Sequence, residues 1–364
     1  MFASASPVGL RSVVRAGRLR RRHALPFPGR ILVDAGDPVT LGQIWARGRV
    51  RTGITVVDLP RLLRVEVAEA RRLVAVTLGA TVDEGTLLAG TAGRVRTGRQ
   101  WLAPSRGMLA EVSPKTAVAV FVQDVLEVAL HCRLAGRVAD VEPGAAIVVE
   151  GPGVAVAAAL GAGGRALGTL HVVEAGERPR DDAGVPPGAV LMTPDPIRPD
   201  WVRRAVEVRA AAVIAPSGDD EALSLLALAP ALAGMTPPSG APAAPPLPIV
   251  LTEGAGHVRM PLALQGVFRA AAGQMVAVTG TRKPGESEVV LPAGPAERAV
   301  ERAREDGIPV RVTAGLETGE EGVLEATASE GSRAASGAPA VCVRVRRLEG
   351  GELVVPLRNL EALA

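Results

Sequence analysis

The side chains best suited to chemistry fall in three short loops: Thr193 with Asp195, Ser217 with Asp219, and Thr252 with Glu253 and His257. Each loop follows a short apolar run. Together they supply hydroxyls, carboxylates and an imidazole, the groups of acid–base work and of polar ligand recognition. The candidate ligand-binding set is therefore Thr193, Asp195, Ser217, Thr252, Glu253 and His257. The same residue types also make turns and helix caps, so a ligand site and a structural role both stay open. No catalytic residue is assigned. No Gly-x-Ser-x-Gly elbow or P-loop occurs, and no Gly-x-Gly-x-x-Gly both follows a strand and opens a helix.

Metal and redox chemistry have less to build on. His23, His131, His171 and His257 are scattered and no Cys-x-x-Cys is present, so neither a metal nor a cofactor is expected. Cys132 and Cys342 each sit inside an apolar run, which points to buried free thiols. Gly161-Ala162-Gly163-Gly164 returns to a strand instead of opening a helix, so it reads as a hairpin or flexible turn rather than a phosphate cradle.

A second candidate surface is cationic. Residues 1–30 hold seven arginines and no acid, while the remainder has 34 basic against 38 acidic residues. Arg18, Arg20, Arg21 and Arg22 are the densest cluster and the candidate nucleic-acid contacts. Residues 1–28 read as a basic flexible arm; an organellar targeting segment or a mis-called start fits the same composition. The stretch has no apolar signal-like core, and no apolar run reaches the ~18 residues of a membrane span, so a cytoplasmic location with no membrane partner is expected.

The elements that must position the three loops alternate in type. Strands at Val190–Met192, Ala212–Ile214, Ile249–Leu251 and Met275–Val278 are separated by helical patterns at Pro199–Arg209, Asp219–Leu228 and Pro261–Ala272, with a Pro-rich excursion from Pro230 to Pro248. This alternation predicts a small parallel or mixed sheet over 181–285, with the three loops at the carboxyl ends of its strands, where ligands usually bind. A linker and helix over 286–306 follow.

Upstream the chain repeats. Gly36, Val39, Gly42 and Ala46 recur as Gly79, Val82, Gly85 and Ala89 at an offset of 43, and Gly107–Val112 recurs as Gly136–Val141 at an offset of 29. Glycines at the two reversals with an inward Val between them specify a small, sharply folded β unit. With 48% hydrophobic but only 2% aromatic residues and no Tyr, its core must be filled by Val, Leu, Ala and Ile. Val-x-x-Gly-x-x-Val-x-x-Gly-x-x-x-Ala, together with Ala103, Pro104, Gly107 and Val112, resembles the two halves of a biotinyl/lipoyl-type barrel-sandwich hybrid. In carrier members of that fold a modified lysine sits at a hairpin tip. Lys115 lies on such a turn, without the flanking methionines of a carrier.

At the other end, Pro309–Gly315 followed by Gly319–Leu324 is similar to a KOW motif, the opening hairpin of an SH3-like barrel, with Val341–Arg346, Leu353–Pro356 and Asn359-Leu360 completing the unit. Six arginines against eight glutamates after residue 306, and no aromatic residue to stack a base, favour a protein-docking or purely structural barrel over RNA there.

The expected architecture is a multidomain, mainly β protein: barrel-sandwich hybrid repeats over 29–180, a central small α/β sheet domain, and a C-terminal SH3-like β-barrel over 307–364. That order resembles a group of uncharacterised bacterial proteins, from which no activity carries over. Three functions stay compatible with these residues: a non-enzymatic binding or scaffold protein with a protein partner, an RNA- or ribosome-associated factor using the basic arm and barrel, and a small-ligand site or enzyme at the α/β crevice.

Overall fold

The computed structural model describes residues 11–51, 53–90, 99–179, 184–225, 247–283, 285–327 and 341–364. The chain is mainly β, 47% strand against 15% helix, and its strands are distributed over several sheets.

The glycine repeat is real to the level of single hydrogen bonds. Leu32 N–H donates to Trp45 O and Ala75 N–H to Leu88 O. Gly36 donates to Val138 and Gly79 to Leu109, while Gly42 donates to Cys132 and Gly85 to Ala103. Every pair keeps an offset of 43 on one side and 43 or 29 on the other. Gly36 and Gly42 have φ of 92° and 85°, and Gly79 and Gly85 have 80° and 77°, a left-handed conformation that a Cβ disfavours. Ala46 and Ala89, at matching positions, are both fully buried.

The two copies are nested. Strand Ile44–Arg51 pairs with Val125–His131, and immediately beyond it Ile54–Asp58 pairs with Val118–Gln123, so the inner copy enters and leaves through one two-stranded ribbon. Trp45, Cys132, Leu134 and Ile147 centre the outer core. Leu59, Leu88, Trp101, Leu109 and Phe121 centre the inner one, with Trp101 and Phe121 edge to face at 6.3 Å. Between the ribbon and the inner turn lie two short helices that the β reading of this segment did not anticipate, Leu59–Leu63 and Val67–Arg72. The Asp58 carboxylate caps the first by accepting from Arg61 N–H, and Pro60 stands in its first turn, where a missing N–H costs nothing.

The outer copy continues into an eleven-stranded sheet through its long strand Ala146–Ala157. One edge of that strand is shared by Gly136–Glu142 and, further along, Glu288–Pro292; its other edge is occupied by Val14–Ala24 from the Val14↔Val156 pair to Ala24↔Ala146. The expected flexible arm is therefore corrected over residues 14–24, which are strand; residues 1–10 lie outside the described residues. Its arginines reach acids on neighbouring strands, and Val14, Leu19 and His23 turn inward, so an acid-free stretch folds against distant partners.

Ladder hydrogen bonds also cross the expected boundary at residue 180. Gly164–Val172 pairs in parallel with Val190–Met192 and antiparallel with Met275–Gly280. Within the expected linker at 286–306, Glu288–Pro292 is a strand of the same sheet, and helix Pro295–Ala303 follows. Of the two readings of the Gly161–Gly164 turn, the hairpin is excluded, because Leu160–Ala162 pairs with Ile249–Ala255 and Gly164–Val172 with other strands.

Four consecutive strands run parallel, the expected Val190–Met192, Ala212–Gly218 and Ile249–Ala255 with Gly164–Val172 from before the expected boundary, while the fourth expected strand, Met275–Gly280, joins antiparallel, so the sheet is mixed. Helices Pro199–Glu207 and Asp220–Leu225 cover one face through Trp201, Ala205 and Leu223. Helices Leu262–Ala270 and Pro295–Ala303 cover the other through Leu264, Phe268 and Val300. Burial on both faces explains why these strands read as continuous apolar runs.

The last unit is a six-stranded sheet ordered Arg11–Ser12, Leu360–Ala362, Ile308–Val312, Glu321–Thr327, Cys342–Arg347, Glu352–Pro356, with a 3₁₀ turn Leu357–Asn359 before its final strand. Among the described residues no helix is long and apolar enough to cross a membrane.

Candidate functional site

At the carboxyl ends of the parallel strands the backbone leaves the sheet in three loops, and an open crevice of about 370 Å³ lies among them. Thr193, Asp195 and His257 line it, together with Arg178, Arg198, Trp201 and Arg259. Three of the six expected ligand residues thus converge.

Their chemistry is already engaged. Asp195 accepts from Gly176 N–H at 2.6 Å through Oδ2 and pairs with Arg259 Nε at 3.3 Å through Oδ1. Thr193 Oγ1 accepts from Asp195 N–H at 3.2 Å, and Arg178 pairs with Asp200 at 2.9 Å. With a backbone donor on one oxygen and a guanidinium on the other, both carboxylate oxygens of Asp195 are engaged within the protein. His257 is exposed on its loop. Beneath it Trp201 presents a buried indole N–H that finds no partner among the described residues.

The other three residues are corrected. Ser217 is fully buried and both donates to Val258 O at 2.8 Å and accepts from Val258 N–H at 3.0 Å, so it fixes the loop that carries His257. Asp219 caps the next helix by accepting from Ala222 N–H. Thr252 and Glu253 are outside the crevice. The Glu253 side chain, 2% exposed, meets Arg311 of the C-terminal sheet, which also holds Glu361. Burial pushes the Glu253 carboxyl up against the pull of Arg311. Burial works against the Arg311 charge too, and the two carboxylates more than reverse it, leaving the guanidinium above its usual value. A strand-end carboxylate read as a ligand group is instead a clasp between two units.

The four candidate nucleic-acid contacts are likewise paired. Arg18 and Arg20 share Glu150, Arg21 binds Glu288 with both carboxylate oxygens, and Arg22 binds Glu142. Lys115 is exposed on the turn joining Gly107–Val112 to Val118–Gln123. Cys132 and Cys342 are buried free thiols, as their apolar context predicts.

Arg178, Arg198, Trp201 and Arg259 were not singled out in the sequence. Arg259 carried a signal, two residues beyond His257 on the same loop; the others lie after a different strand or on the following helix. Among the described residues no cluster of three or more His, Cys, Asp or Glu is arranged to hold a metal. Comparison with protein-family models, curated proteins and solved structures finds no match to this chain.

Proposed function

We propose that this chain is a non-enzymatic binding or scaffold protein whose β modules are carried on one long sheet. The observation behind this reading is the engagement of the crevice: Asp195, Ser217 and Glu253, the side chains best able to do acid–base or nucleophilic work, each serve a structural bond. The nested glycine-turn units support a barrel-sandwich hybrid, and the strand order of the last sheet, with a 3₁₀ turn before its closing strand, supports an SH3-like barrel. Both are interaction folds whose function lives in the surfaces they present.

A protein partner has an edge to use. Among the described residues strand Ile54–Asp58 pairs on one side only, with Val118–Gln123, and exposes Ile54 and Val56 at 65% and 63%. Two large apolar side chains beside an open strand edge suit strand addition or apolar docking.

The test compares the wild type with I54D/V56D and D195N/H257A. Native co-purification from the source organism should retain a defined protein on the wild type and on D195N/H257A, and lose it on I54D/V56D. Any turnover that disappears in D195N/H257A overturns the proposal.

A further inference from the structure

The larger cavity lies elsewhere. About 530 Å³ of open volume separates the three-stranded sheet of the outer β unit from the middle of the long sheet, within the usual size of small-molecule sites. Its wall is Trp45, Leu130, Leu167 and Met275 with small alanines between them. Set into this wall are Arg133 and Arg165, from segments far apart in the chain, beside His23 and His131.

Charge in this pocket is unbalanced. Arg165, Thr279 and Glu288 stand directly opposite one another on three adjacent strands, so they project from one face of the sheet. Glu288 is consumed by Arg21, with bonds of 2.8 and 2.7 Å. Arg133 Nη1 donates to the Thr279 hydroxyl at 2.8 Å, and neither Arg133 nor Arg165 has a carboxylate within ion-pair distance among the described residues. Burial, with the Arg165 charge adding to it, lowers Arg133 to about 10. Arg133, set into the wall, and Arg165, exposed at the cavity mouth, present two like charges that an anion between them would relieve.

His23 adds no charge of its own to the cavity. His23 Nε2 accepts from Arg133 N–H at 2.9 Å, so its proton sits on Nδ1 and points at Arg21 O, 3.2 Å away. This neutral ring packs edge to face on Trp45 at 6.1 Å and fixes the backbone from which Arg133 projects. His131 Nδ1 donates to Gly42 O at 2.7 Å.

We propose that this cavity binds a small organic anion, an oxyanion head group on a flat apolar body, with Arg133 and Arg165 selecting the charge and Trp45, Leu130 and Leu167 contacting the body. Guanidinium groups accept carboxylate and phosphate alike through paired N–H donors, so the head group is either. The site is separate from the crevice and from the strand edge offered to a protein.

The experiment measures binding of 1-naphthaleneacetate, 1-naphthyl phosphate and neutral 1-naphthaleneacetamide to the full chain by isothermal titration calorimetry. One or both anions should bind, the stronger one identifying the head group, with the amide weaker by at least about tenfold. R165Q, on an exposed side chain that should not disturb folding, should weaken the anions by a similar factor and leave the amide unchanged, while R259Q in the crevice should change nothing. Equal binding of amide and anions, indifference to R165Q, or no binding of any probe at about 10 mM would overturn the proposal.

Discussion

His23 should be a histidine that stays neutral through the whole range in which histidines ordinarily charge. Burial is the main cause, the nearby Arg133 guanidinium adds to it, and Arg165 and Arg21 push the same way, lowering the ring from 6.5 to about 4 against a weaker opposing pull from its bond to Arg21 O. The other groups around it are Glu288, already neutralised by Arg21, and the exposed His131. Between these two values the unfolded chain takes up a proton that the folded chain refuses. Stability from this ring is therefore complete above about pH 6.5 and drains away as pH falls toward about 4. At 1.36 kcal/mol per unit, the full loss is about 3 kcal/mol as an upper bound. The chain has several cores and need not unfold in one step, so the assay must be local. Ring ¹⁵N shifts should show a single Nδ1-protonated tautomer that titrates near 4, and exchange of the Arg133 amide should accelerate across that window. H23Q keeps a neutral acceptor for that amide and should flatten the pH dependence. A ring that titrates near 6.5, or carries its proton on Nε2, would refute the reasoning.

Other outcomes follow from the same geometry. R311M should weaken the C-terminal sheet's attachment by about 3–5 kcal/mol, because it strands Glu253 and Glu361 in a buried interface, whereas E253Q should cost far less; limited proteolysis after residue 306 reads the difference. G42A should be more destabilising than G85A: both force a side chain into positive φ at about 1 kcal/mol, but only the Cβ at residue 42 meets Met275 Sδ, at 3.2 Å. Thermal scans of the two variants test this order. Burial pushes the Cys132 thiol up to about 11, so it should resist a thiol reagent in the native chain and react only after denaturation.

The parts of this molecule written in local pattern were legible. Gly36, Gly42, Gly79 and Gly85 stand out because their backbone conformation excludes other residues, and the buried alanines 46 and 89 mark the same positions in each copy. The alternating segments from Val190 to Val278 announced a parallel or mixed sheet, and with it the loops of Thr193, Asp195 and His257. What stayed hidden depends on partners far along the chain. Arg18 to Arg22 look like a solvated run until Glu142, Glu150 and Glu288 arrive beside them. His23, Arg133 and Arg165 come from three strands or their ends, and no spacing rule connects them. Glu253 reads from sequence as a loop residue, but it lies within strand Ile249–Ala255 and the side chain that claims it is Arg311 on another sheet.

The strand Val14–Ala24 has a further consequence, for the order in which the molecule can be built. It leaves the ribosome early, yet its ladder partner is Ala146–Ala157, and the two residues just before Val13 pair with Leu360–Ala362. At about 5–20 residues per second, Arg11 waits on the order of tens of seconds for Glu361. The inner glycine unit, by contrast, closes on itself between Ile54 and Gln123 and needs nothing synthesised later. Vectorial synthesis therefore favours an inside-out sequence of events: the inserted module forms first, and the arginine-rich opening strand joins the long sheet only once that sheet exists.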